Sequence, residues 1–304
     1  MVPVRRHRLR LRHFRLTIYE LPRKSARSRE ICSTTCWLRS RGQRSVPAVR
    51  ATLGLSQRQT DRIVHAFDDF VARPLAANLT KLRGRDLAKR NPMVYTVRGV
   101  ETVEEWADQV LADKETSAIE AHIGTWLEEV ARLVSGGIKP GSGVDLQIAD
   151  TDGVVQLYAI QSAPNTKNAG GRKSDIEALR RGARVLRNQR QRVELNIAVL
   201  GGRAKTGVMR ANPDITMLSS DDFWERVSGI PDFRLRLLRA TTILAWLVKR
   251  RSEEEIERIK REAVALFGDA DGRLDLESLA NAPRTAREEQ QLVEGRLLAT
   301  LNLL

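Results

Sequence analysis

Residues 143–162 are where side-chain types and spacing point to chemistry. "GVDLQIAD" carries Asp145, and "VVQLYAIQSAPNTKN" ends an alternating run on Gln161 and Ser162 before breaking into proline and asparagine. In the first stretch Val144, Leu146 and Ile148 alternate with Asp145 and Gln147, so an extended backbone puts both polar groups on one face. In the second, Val155, Leu157, Ala159 and Gln161 share a face by the same period of two. Asp152-Gly153 between them is a hairpin signal. A carboxylate early in one strand, beside polar groups late in its hairpin partner, can hold Mg²⁺ against a phosphate, with a polar or cationic side chain near the attacking water. A further acid would come from the preceding helix. "TSAIEAHIGTWLEEVARLV" carries Ile119, Ile123, Trp126, Val130 and Leu133 on one stripe, which predicts a helix over 116–134. Glu120 lies at the edge of that stripe and Glu128 farther round toward solvent.

The elements that must position these groups follow from the same periodicities. "SQRQTDRIVHAFDDFVARPL" places Ile63, Phe67 and Phe70 at helical spacing behind a Ser56 cap. "NPMVYTVRGV" reads as a turn and an extended segment, because the residue before proline disfavours helix, and "VETVEEWADQVLA" resumes helix. Beyond the hairpin, "RKSDIEALRRGARVLRNQR" has Ile176, Leu179, Ala183 and Leu186 at helical spacing, and "VELNIAVL" suits a central strand. Helix, strand, strand, helix, strand implies an α/β or α+β domain with a central mixed sheet flanked by helices. From about residue 213 the pattern turns helical. The expected divisions are a basic arm over 1–45, a core over 46–212 and a helical C-terminal region over 213–304.

The chain of 304 residues is long enough to bury a sizeable core, and 52 Lys+Arg against 38 Asp+Glu give a formal charge of +14. Thirteen Lys or Arg and two Glu in the first 45 residues supply +11 of it, so the rest is only mildly basic. That arm reads in three ways: a disordered arm gripping phosphates, a targeting-like segment, or sequence upstream of the true start. Cys32 and Cys36, without nearby histidines, make a poor metal site and a poor disulfide framework. No apolar stretch reaches the roughly 18 residues needed to cross a bilayer, so the expectation is a cytoplasmic protein with no membrane partner.

Other motifs are dismissed. "DADGRLDLES" has Ser278 where a calcium loop needs its bidentate glutamate, and "GGIKPGSG" lacks the strand-to-helix context of a nucleotide loop. His65 and His122 have no partner at ligand spacing.

"NPMVYTVRGVETVEEWADQVLA", "SAIEAHIGTWLEEVA", "GVDLQI", "LYAIQSAPNTKNAGG" and "DDFWERVSGIPD" occur in an order that resembles the PmeII-type group of type II restriction endonucleases, across most of residues 52–235. The resemblance implies a restriction-endonuclease-like core of the PD-(D/E)xK type, double-stranded DNA as partner, Mg²⁺ as cofactor and a homodimer. It also implies that Asp145 binds the metal together with the Ile160 carbonyl and Glu120. Three departures stand out: Gln161 occupies the lysine position, Ala159 that of the second acid, and Gln147 replaces the usual glutamate. Lys167, or Arg172 or Lys173 at the next helix start, could bring a cation back to the phosphate, and Gln161 could otherwise orient the water as a neutral hydrogen-bonding group; the candidate catalytic set is Asp145, Gln161 and Lys167. Ser162, Asn165, Asn168, Arg172 and Lys173 are the expected DNA contacts. The alternative is a catalytically degenerate DNA-binding or regulatory protein on the same scaffold.

Overall fold

The alternation around Asp145 and Gln161 produces an antiparallel hairpin in the computed structural model, which describes residues 46–141, 143–162, 169–202 and 204–302. The arm expected over 1–45 lies outside the described residues. β1 (Leu146–Ala149) pairs with β2 (Val154–Gln161), with Leu146 opposite Tyr158. Gly153 makes the turn between them at φ +71°, in the left-handed region that glycine enters without steric cost. β3 (Arg192–Val199) runs parallel to β2; beyond it lie β4 (Gly207–Met209) and β5 (Asn212–Leu218), and the order across the sheet is β1-β2-β3-β5-β4. β5 is parallel to β3 and antiparallel to β4, so the sheet is mixed as expected.

Residues 213–218, expected to open the helical region, instead continue the sheet. Pro213 reads as a breaker, yet pairing with β3 starts only at Ile215, so the proline sits where no amide is needed for that ladder.

β2 is buried on both faces, and its alternation divides two cores. Val155, Leu157 and Ala159 pack under α6 (Ala169–Asn188), whose Leu179 and Ala183 are fully buried. Tyr158 and Ile160 face the opposite way, into a core shared with Trp126, Val130, Phe223, Trp224 and Phe233. Trp126 there meets Phe67 edge-to-face, with ring centroids 5.2 Å apart, and donates its indole N–H to the Ile63 carbonyl.

Helices supply that second face. After α1 (46–53), Ser56 caps α2 (Gln57–Phe67) with the reciprocal bonds of a capping box to Gln59. A π-helical stretch, Asp68–Ala72, then leads into α3 (Arg73–Lys81). The wider turn shifts the phase of the stripe, so Val71 and Ala72 are buried whereas Phe70, expected in the core, is exposed.

The segment expected to be extended after Asn91 is helix α4 (Met93–Val97). Proline restricts the residue before it but is itself suited to a helix start; Pro92 has φ −64° and ψ −28°, and the Asn91 side chain accepts from the Met93 amide. The two helices expected over the following residues are one, α5 (Val103–Ser135), whose 33 residues span about 50 Å. The C-terminal helices are α7 (Ser220–Ser228), α8 (Phe233–Phe267), α9 (Leu276–Ala280) and α10 (Ala286–Asn302). Phe223 on α7 and Phe233 on α8 enter the core on the Tyr158 face of the sheet, while Ile259, Leu266 and Phe267 join a third core with Trp106 and Val110 of α5. Among the described residues, no helix is long and apolar enough to cross a membrane.

Candidate functional site

At the carboxyl end of β2 a pocket of about 290 Å³ is lined by Glu120, Gly124, Thr125 and Glu128 of α5, by Asp145, Ile160, Gln161 and Ser162 of the hairpin, and by Leu200 after β3. Ligand sites in such sheets commonly lie beyond the carboxyl ends of the strands. Asp145 and Gln161, singled out by their spacing, and Ile160, Glu120 and Ser162, named through the family resemblance, are therefore brought to one place.

Asp145 sits one residue before β1, where the ladder begins. Its amide donates to the Tyr158 carbonyl at 3.0 Å, and its Oδ2 accepts from the Ile160 amide at 2.7 Å. The side chain thus stands in for the next rung of the ladder, which fixes the direction of its carboxylate. The Tyr158 carbonyl that accepts from the Asp145 amide belongs to the residue already opposite Leu146, and Val144 packs in the α6-side core whereas Leu146 packs in the other, so the regular alternation expected through Asp145 ends at Leu146. Along a strand, the N–H and C=O of one residue point to the same edge. The Ile160 carbonyl therefore points to the edge where Asp145 lies, whereas the Gln161 carbonyl points the other way and accepts from Leu200 at 2.8 Å.

The helix carboxylates reverse the order expected from the stripe. Glu120 is exposed, whereas Glu128 is half-buried and paired with Lys139, with Nζ 2.9 Å from Oε2. The bond to Glu128 raises the Lys139 ammonium above the ordinary lysine value, against partial burial, and the negative charges of Asp145 and Glu129 add to the effect. Lys139 reaches this place because Gly136 ends α5 at φ +68° and Ile138 then bridges Gln147 on the outer side of β1. A side chain at Gly137 would come within 2.7 Å of the Gln147 carbonyl, so the close approach requires glycine.

Gln161 is only 4 % exposed, and its Nε2 donates to Oδ2 of Asp175 on α6 at 3.0 Å. Ala159 is buried and carries no donor or acceptor on its side chain. Arg172 and Lys173 are exposed at the start of α6, and Ser162 is exposed at the pocket rim. Ser174 lies within α6. Lys167, Asn165 and Asn168 lie outside the described residues.

The oxygen set suits a hard divalent cation: a strand carboxylate held in direction, a backbone carbonyl on the same edge, and two helix carboxylates on one pocket wall. Among the described residues no three acidic, histidine or cysteine side chains already converge as a ligand cluster. The pocket thus offers Asp145 with backbone oxygen as its core, and Glu120 and Glu128 at its wall.

Sequence reasoning missed Lys139 and Asp175. Lys139 was read as part of a glycine loop, and its signal is the paired glycines that bring it alongside β1. Asp175 follows Gln161 by 14 residues, from the end of β2 to the second turn of α6, a separation with no local periodicity. Its position four residues before the buried Leu179 places it on the sheet-facing side of α6.

A mixed sheet with a hairpin acid, flanked by helices that bring carboxylates to the strand ends, defines a restriction-endonuclease-like α+β protein. Within that class, the family of type II restriction endonuclease EcoO109I matches residues 59–245, from α2 into α8 and through the whole of the pocket. The chain belongs to this family of DNA-cleaving type II restriction endonucleases. No curated protein matches the chain.

Proposed function

We propose that this protein is a type II restriction endonuclease that hydrolyses phosphodiester bonds in double-stranded DNA with Mg²⁺, and that within the restriction enzymes it stands near the PmeII-type group its motifs resemble. The supporting observation is that Asp145, Ile160 and Gln161 share one pocket with Glu120 and Glu128 in a chain of this family. Mg²⁺ bound there supplies positive charge at the scissile phosphate and acidifies a water. Asp145, whose direction is fixed by the Ile160 amide, would hold the ion together with the Ile160 carbonyl and Glu120. In hydrolysis the water oxygen bonds to phosphorus, a sugar–phosphate P–O bond breaks, and the departing oxygen takes up a proton. Gln161 stands beside the water; Ser162, Arg172 and Lys173, with Asn165 and Asn168, contact the DNA backbone, a role suited to cations and short polar side chains. A homodimer reads a near-palindromic site through matching two-fold symmetry.

Plasmid cleavage with Mg²⁺ or Mn²⁺ tests this. Wild type should cut and Asp145→Ala should not; an intact plasmid with wild type in both metals removes the nuclease reading. Lys139→Ala and Lys167→Ala, assayed side by side, identify which lysine supplies the cation that Gln161 cannot. The replacement of the second acid by Ala159 favours one other reading, a protein that binds DNA without cutting it. That reading predicts DNA binding without cleavage by wild type, and cleavage only when Ala159→Asp is combined with Gln161→Lys.

A further inference from the structure

Gln161 lies between two cavities. One is the pocket it shares with Asp145; the other, of about 340 Å³, lies toward α6 and is lined by Gln161, Arg172, Ile176 and Met209 among others. Its amide reaches α6 by bonding to Asp175, 3.0 Å away, and 4 % exposure leaves the side chain little freedom to swing. A carboxylate offers acceptors only, so the end of the amide that meets Asp175 must be the NH₂ group. With Nε2 bonded to α6, Oε1 is the acceptor that the amide retains.

We infer that Asp175 is a positioning residue of the site, locking the Gln161 amide so that it presents a hydrogen-bond acceptor to the reacting water. This rests on the nuclease reading above. A lysine at this position can only donate; Gln161 held by Asp175 accepts. The water then donates one hydrogen to Oε1, and its lone pair is directed at phosphorus.

The test compares wild type, Asp175→Ala, Asp175→Asn and Asp145→Ala as full-length proteins. Steady-state DNA cleavage with Mg²⁺, DNA binding with Ca²⁺, and NMR exchange of the Gln161 side-chain NH₂ protons are measured on each. Asparagine keeps a carbonyl that accepts from Nε2, so Asp175→Asn should cleave within about 3-fold of wild type and keep slowed NH₂ exchange. Asp175→Ala should lose about 10- to 100-fold in kcat, less than the loss of a directly acting group, with KM and DNA binding held. Its Gln161 NH₂ exchange should speed up. Asp175→Ala at the wild-type kcat overturns the inference, as does Asp175→Asn being as slow as the alanine variant or exchange that does not respond. Should wild type cut, Asp145→Ala fail and Asp175→Ala cut at full rate, this inference falls alone. A silent wild type removes the nuclease reading and with it the role given to Asp175.

Discussion

Asp145→Asn and Asp145→Ala separate the two tasks of one side chain. Oδ2 accepts from the Ile160 amide at 2.7 Å, and Ile160 is only 6 % exposed, so this bond completes the ladder where β1 begins. A hydrogen bond to a charged group contributes about 1.5–3 kcal/mol, and leaving a buried amide unpaired costs about 1–3 kcal/mol. Asp145 is half-buried, which admits water to the vacated position and brings the expected cost of the alanine variant to about 1–2 kcal/mol. For a chain of this size that lowers Tm by about 2–6 °C. Asparagine keeps an oxygen for the Ile160 amide, so Asp145→Asn should melt within about 2 °C of wild type. Neither variant keeps the negative charge, and both should lose about 100-fold or more in cleavage. Thermal melting and plasmid cleavage on the same preparations provide the comparison. An asparagine variant that melts as low as the alanine variant refutes the structural task assigned to the carboxylate. One that cuts at the wild-type rate refutes the chemical task.

Three further outcomes are expected. Gly124→Ala should stabilise the protein by about 0.5–1 kcal/mol in denaturant melts, because glycine in a helix interior costs that much and a Cβ there meets no atom within 4 Å. Burial pushes the Tyr158 hydroxyl up to about 12, so the folded chain keeps a proton that the unfolded chain releases near pH 10. Stability should therefore be fully present below about pH 10 and fall by about 3 kcal/mol as pH rises to about 12, and Tyr158→Phe should remove this dependence in melts across that range. Arg172→Ala and Lys173→Ala should each reduce the slope of log K against log salt for DNA binding by roughly 0.9, read from anisotropy titrations at several salt concentrations; slopes equal to wild type would exclude those phosphate contacts.

The hairpin was legible because its information is local. Two runs of alternating polarity around Asp152-Gly153 specify a turn and the pairing of two strands, and Gly153 adopts the φ such a turn requires; the alternation does not extend to Asp145, where Val144 and Leu146 enter different cores. The stripe of Trp126, Val130 and Leu133 likewise predicted a buried helix face, and all three are buried. Phe70 was misplaced because a π-helical stretch changes the period the stripe is read with. β4 and β5 were missed because β4 has three residues and β5 opens on Asn-Pro, which leaves little alternation to detect.

Which residues alternate, where a helix can start and which strand end carries Asp145 and Gln161 are set by side chains a few positions apart, and the chain alone determined them. Which groups meet in the pocket was decided by tertiary structure. The pairing of Glu128 with Lys139 depends on an added bridge beside β1, and that of Gln161 with Asp175 on how α6 lies against the sheet. The reason is physical: periodicity reports which face of an element is buried, but a contact between elements also depends on their packing angle and offset, which are set by the fit of whole faces.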